Sequence, residues 1–300
     1  MTAAHPRTVE QYLDALRLAL RGADPALIQD ALYDAEEHLR AELAQHPGDV
    51  EGDVLGRIVA SYGAPDEVAD AYRANEATIQ KALRTPVPRP RVTTLGRFFG
   101  IYTDPRAYLS LLYLLLTLVT GIVYFTFAVT GLSLSVGLAV LIIGVPFFLL
   151  FIGTARVLAL AEGRIVESLL GTRMPRRPAY PDRETPFLRR VGDMLKDPRT
   201  WGTLLYLVSM LPLGVFYFTF AVVGIAVSFA IIVAPIMVLL YHAGLVHIDG
   251  ILQTPHPALL PLMSILGVLL LTVTMHLARG IGYLHGQLAK TLLVAARDAD

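Results

Sequence analysis

Three carboxylates and an imidazole, at Asp34, Glu36, Glu37 and His38, are the first place to look for a metal or acid–base centre in this sequence. Neighbouring positions on a helix point in different directions, so the run reads as a solvated helix face, with a partner-binding face as the competing reading. A second set is hydroxylic: Tyr113, Tyr124 and Thr126 recur 93 residues later as Tyr206, Tyr217 and Thr219. Such matched hydroxyls either line a shared cavity for a lipophilic ligand or hydrogen-bond between helices and at the bilayer surface. A third set, His242, His247, Asp249 and His256, suits a metal or a pH response, or is a solvated loop. The chain has no cysteine, which excludes disulfides and thiolate metal sites. No cofactor and no catalytic residue is expected.

The elements carrying these residues follow from where charge is absent. Residues 107–155 hold no charged side chain, and residues 200–278 hold only Asp249. An unpaired charge in hydrocarbon is costly, so gaps of this length predict lipid-embedded helices and an integral membrane protein. An apolar content of 54% and a mean hydropathy of +0.55 exceed what a soluble domain carries, which agrees. The first 106 residues are ordinary by contrast, with 12 basic and 16 acidic side chains. They offer no basic face, so nucleic acid is not an expected partner. The start MTAAHPRTVEQY lacks an apolar stretch, so no cleavable signal peptide is expected and the span near Leu109 serves as an anchor.

Residues 7–84 predict a helical bundle. Val9, Tyr12, Leu13, Leu16 and Leu20 share one helical stripe, and Ile28, Leu32, Ala35, Leu39 and Leu43 share another. Asp24 followed by Pro25 is a sound helix start, His46-Pro47-Gly48-Asp49 a break, and Gly63 a turn before a helix starting at Pro65. The alternate prolines of Thr85-Pro86-Val87-Pro88-Arg89-Pro90-Arg91 make an extended linker. The phrases YDAEEHL (Tyr33 to Leu39) and YGAPDEVADAYR (Tyr62 to Arg73) resemble the small cytoplasmic helical domain of the HAAS type, which precedes membrane segments in bacterial proteins.

The membrane part is duplicated. At an offset of 93, Asp104 to Gly131 overlays Asp197 to Gly224 with identity at 16 of 28 positions. At an offset of 123, Ala155-Arg156 and Gly163 correspond to Ala278-Arg279 and Gly286, so the second copy carries about 30 extra residues. Asp104 and Asp197 are expected N-caps. Arg106 and Arg199 are placed to reach lipid phosphates, with Tyr108 and Trp201 at the interfacial aromatic level. Each copy is expected to hold two spans and a closing helix along the membrane surface. The stripes of the closing helices are Leu158, Ala161, Ile165, Leu169 and Ile281, Leu284, Leu288, Leu292. The surplus residues, interrupted at Pro235, are expected as a re-entrant or outer-surface hairpin, giving four crossings, with five as the alternative.

Six basic residues between Lys81 and Arg106, and ten between Arg156 and Arg199, predict that both segments lie inside. The expected fold is all-α: a small soluble helical bundle (1–84), a Pro-rich linker (85–97), a membrane repeat (98–178), a cytoplasmic loop (179–191) and a second membrane repeat (192–297). The DPR entry, the YFTFAV run and LARGIGYLHGQLAKTLL (Leu277 to Leu293) resemble the sensor membrane region of bacterial proteins, often fused to histidine kinases. No kinase domain is expected here. The resemblance implies a bacterial inner-membrane sensor or signalling adaptor with its amino terminus cytoplasmic, membrane lipids as partners and a PadR-like regulator as a cytoplasmic partner. A homo-oligomer stays open. A transporter or lipid-handling permease is the alternative, since internal repeats also frame transport sites.

Overall fold

The computed structural model describes residues 6–47, 49–83, 93–139, 141, 143–177, 192, 195–246 and 257–294, and these include no strand. The fold is all-α, and the chain groups into two compact units. The first takes residues 1–84, 132–204 and 289–300, the second residues 85–131 and 205–288.

In the first unit, α1 (Val9–Ala19) starts at Thr8, whose hydroxyl accepts the Gln11 N–H. Helix α2 (Pro25–Ala44) starts at Asp24, whose carboxylate accepts the Ala26 N–H, with Pro25 where a missing N–H is no loss. Helix α3 (Glu51–Tyr62) stops at Gly63, whose φ of +113° suits a residue without Cβ, and α4 (Pro65–Leu83) follows. Tyr12 and Leu16 of α1, and Leu20 that caps its end, meet Leu39 of α2, Leu55 and Ile58 of α3 and Val68 of α4 in one core. The Tyr12 hydroxyl donates to the Gly63 carbonyl at 3.0 Å, so the buried phenol is satisfied. On α2 the buried row is Leu27, Ala31, Ala35 and Leu39; Ile28, Leu32 and Leu43, expected in that row, are only partly buried.

The short helix α5 (Thr94–Phe98) and a 3-10 turn (Phe99–Thr103) lead into α6 (Pro105–Leu138), followed by α7 (Gly144–Leu170), α8 (Pro198–His242) and α9 (Leu260–Leu293). The last four are the described helices long and apolar enough to cross a membrane. Asp104 and Asp197 accept the N–H groups of Arg106 and Arg199, both at 3.0 Å. Two expectations change. No break separates the closing helices from their spans: Leu158 to Leu169 belongs to α7 and Ile281 to Leu292 to α9. Nor does Pro235 interrupt the chain. It lies inside α8, as does Pro212. Longer helices take up 18 of the surplus residues, 45 in α8 against 34 in α6 and 34 in α9 against 27 in α7, and a longer connection, 17 residues between α8 and α9 against 5 between α6 and α7, takes up the other 12. A proline costs one backbone hydrogen bond and can be carried within a long helix. At 1.5 Å per residue α8 is about 68 Å long, more than twice a hydrocarbon core of about 30 Å.

The closing helices also bury a different face from the apolar stripes. On α7 the buried residues include Ala155, Glu162, Gly163, Val166 and Glu167, while Ala161 is exposed. On α9 they include Ala278, His285 and Ala289, while Leu284 is exposed. A helix surrounded by lipid turns its large apolar side chains outward and its small and polar ones toward protein, the reverse of a helix in water.

In the second unit, α6 and α8 cross at backbone contact. A Cβ added at Gly121 would stand 2.5 Å from the Met210 carbonyl oxygen, and one at Gly214 would stand 2.5 Å from that of Thr117. These four residues are two pairs related by the offset of 93, so the crossing carries a local pseudo-two-fold.

Candidate functional site

Helix α7 ends at Leu170 and is closed by Gly171 in the left-handed conformation, with φ of +71°. The chain then runs as a non-helical strap through Gly171 to Arg177. Arg173 on this strap is 8% exposed and reaches three buried carboxylates. Its Nε donates to Glu76 of α4 at 3.1 Å, one terminal nitrogen to Asp30 of α2 at 3.0 Å, and the other lies 3.5 Å from Glu167 of α7. That last nitrogen also donates to the Met174 carbonyl at 2.6 Å. The planar guanidinium has five N–H donors in a fixed fork, which a lysine could not supply.

Asp30 is held from a second direction. Its other oxygen accepts the backbone N–H groups of Arg176 and Arg177 at 2.7 and 2.8 Å. Burial nonetheless pushes the Asp30 carboxyl above its ordinary value, against the pull of these N–H groups and of Arg173. Burial disfavours the charged Arg173, but Glu76 and Asp30 outweigh it and hold the guanidinium above its ordinary value. Arg176 pairs with Glu167 at 3.2 Å, and Gln29 donates to the Arg177 carbonyl at 2.7 Å. A cleft of about 230 Å³ beside the hub is lined by Tyr72, Asn75 and the same ion-paired groups. A second clasp joins Lys290 of α9 to Asp24 at the start of α2. Both closing helices therefore grip α2.

The four residues read as a helix face diverge. Asp34 accepts from the Tyr72 hydroxyl at 3.1 Å and pairs with Arg177 at 2.9 Å. Glu36 pairs with Arg40 at 3.0 Å, Glu37 is exposed, and His38 stacks on Tyr62 with centroids 4.5 Å apart. No group of three His, Asp or Glu suited to a metal occurs among the described residues. Asp34 is thus engaged by the chain's own strap.

Three of the four matched tyrosines converge in the second unit. The hydroxyls of Tyr206 and Tyr217 lie 3.0 and 3.3 Å from Nε2 and Nδ1 of His285, and the Tyr113 ring is 5.1 Å from the imidazole. A neutral imidazole donates from one nitrogen and accepts at the other, so two phenols satisfy it fully. Tyr124 is buried, whereas Thr126 and Thr219 are exposed on the outer surface. His285 was missed because a single histidine in an apolar helix gives no pattern of its own. The signal available was its place at the offset of 123, where its counterpart Glu162 is also buried. Tyr206→Phe is expected to cost about 0.6 kcal/mol, typical of an interhelical hydrogen bond in lipid, and His285→Leu more, since it strands two phenols. Unfolding of the purified protein in bicelles checks the order.

At the expected interface, Tyr108 and Trp201 are each half exposed. Each donates to the carbonyl six residues before it, Tyr108 to Tyr102 at 3.0 Å and Trp201 to Leu195 at 2.8 Å. Arg106 and Arg199 are partly exposed. His242 is exposed and its Nδ1 lies 2.8 Å from the Val238 carbonyl, while His247, Asp249 and His256 lie outside the described residues.

A helical bundle clasped to the ends of helices long and apolar enough to cross a membrane is the architecture of a membrane protein. The chain belongs to the family described as "Putative sensor", whose model matches residues 113–293. The HAAS model matches residues 11–71. These two family matches fit a sensor or signalling role. No curated protein and no solved structure matches the chain.

Proposed function

We propose that this protein is a non-enzymatic signalling adaptor of the bacterial inner membrane, with its amino-terminal bundle in the cytoplasm as the output element. The observation that carries this reading is the buried Arg173, which ties α2 and α4 of the soluble bundle to the end of a membrane helix. A shift of α7 moves Glu167 and the strap directly, so the clasp is a two-state element that an input can bias. The output surface is the α2 face around Asp34, and its receiver is a cytoplasmic regulatory protein, PadR-like by family association.

The test is capture of cytoplasmic regulators by the full chain, wild type against Arg173→Glu. The reversal places a fourth carboxylate among three and opens the clasp, so a changed capture profile is the expected result. An identical profile, with hydrogen exchange in α2 and α4 accelerated as expected, removes the clasp from signalling. Sidedness has its own measurement: with no native cysteine, D249C should label with a membrane-impermeant maleimide in intact cells and D300C should not. Labelling at position 300 from outside would overturn the four-crossing topology.

One observation favours a transporter as the second reading: Glu162 is fully buried within the apolar helix α7. Flux across proteoliposomes that is lost in Glu162→Gln would establish it.

A further inference from the structure

Within the first unit, a pocket opens between the start of α8 and the end of α7. Two guanidinium groups, Arg156 and Arg199, line it together with Thr203, and apolar Leu160, Ala159 and Leu293 form its other walls. Arg156 is 3.5 Å from Asp197, at the start of α8, and both remain about one-third exposed, so this pair does not close the pocket. One residue from Arg199, the buried hydroxyl of Thr200 has no hydrogen-bond partner in this structure. Gln29 of α2 and Met174 and Pro175 of the strap complete the lining.

Two arginines over an apolar wall, at the end of a membrane helix, match a phosphate anion carrying acyl chains. Either basic group alone would be an ordinary surface contact. Their convergence in one pocket with hydrocarbon walls is not. The ion pair itself recurs in the second unit, where Arg279 and Asp104, the counterparts of Arg156 and Asp197, meet; what sets this site apart is the wall added by Gln29, Met174 and Pro175. We propose that this pocket binds the phosphate headgroup of an acidic phospholipid. A headgroup seated on Arg156 and Arg199 also touches Gln29 and Met174, the neighbours of Asp30 and Arg173, so the occupant reaches the clasp itself. Lipid charge is thereby an input to the element described above, although the binding site stands without the signalling reading.

Full-length protein in nanodiscs of phosphatidylcholine with a minor fraction of phosphatidylglycerol provides the test, with native mass spectrometry of the lipids that remain bound. Wild-type protein should retain phosphatidylglycerol preferentially. Arg199→Gln should weaken retention about fivefold, while Arg21→Gln, at an exposed arginine of the amino-terminal bundle outside the pocket, should leave it unchanged. Equal retention of the two lipids, or equal losses in both variants, overturns the pocket. Displacement of phosphatidylglycerol by millimolar inorganic phosphate, with the ion itself bound, assigns the site to free phosphate and overturns the lipid source. A pull-down phenotype is not part of this measurement, so its outcome is separable from that of the signalling reading.

Discussion

Replacing Arg173 with methionine is expected to destabilise the soluble bundle and its clasp by about 3–5 kcal/mol, because it leaves Asp30, Glu76 and Glu167 buried without their shared cation. Hydrogen exchange in α2 and α4 reads the effect as an acceleration of about two to three and a half orders of magnitude. The cost comes from the stranded carboxylates rather than from the pair as such. Adding Asp30→Asn, Glu76→Gln and Glu167→Gln to Arg173→Met should therefore recover much of the loss. Arg173→Lys should fall between, since one ammonium cannot reach three carboxylates from a single plane. Unchanged exchange in Arg173→Met would mean that the hub is not a stabilising element.

The second large effect belongs to the crossing of α6 and α8. Gly121→Leu or Gly214→Leu forces a side chain into the opposing backbone, where a Cβ alone would stand 2.5 Å from a carbonyl oxygen. Backbone cannot rotate out of the way as a side chain can, so the helices must separate, at a cost of about 3 kcal/mol or more. Steric-trap unfolding in bicelles measures it. Each glycine lies one turn from the residue its counterpart contacts, so the two sites share one interface. The double variant should cost clearly less than the two single losses combined. Additive losses would show two independent contacts and no common crossing.

The membrane helices were legible in the sequence because lipid imposes one severe rule, the absence of unpaired charge, and long runs obey it or do not. The duplication was legible because both copies keep the DPR entry and the YFTFAV run, and with it came the matched tyrosines. The closing helices were read as separate elements along the membrane surface because Leu284 and Ala161 fell on apolar stripes; both residues are exposed, on helices that run on from the spans without a break. Pro235 was read as a break because its effect in an isolated segment is to end a helix, whereas α8 runs on both sides of it.

The clasp was illegible for a different reason. Arg173 meets Glu76 and Asp30 from 97 and 143 positions away in sequence, and nothing in local spacing marks a strap that leaves one helix to cross two others. Asp34 was singled out as a partner-binding residue. Its nearest partner in the structure is Arg177 of the same chain, so any external partner must compete with the strap.

Crosslinking between α2 and the strap tests the central claim most directly. Gln29 donates to the Arg177 carbonyl at 2.7 Å, and neither side chain belongs to the Arg173 hub. In membranes holding the Q29C/R177C variant, a short bismaleimide should join the two cysteines within one chain, and Arg173→Glu should sharply reduce the yield. Full reactivity of both thiols with a monofunctional maleimide but no intrachain crosslink would contradict the clasp.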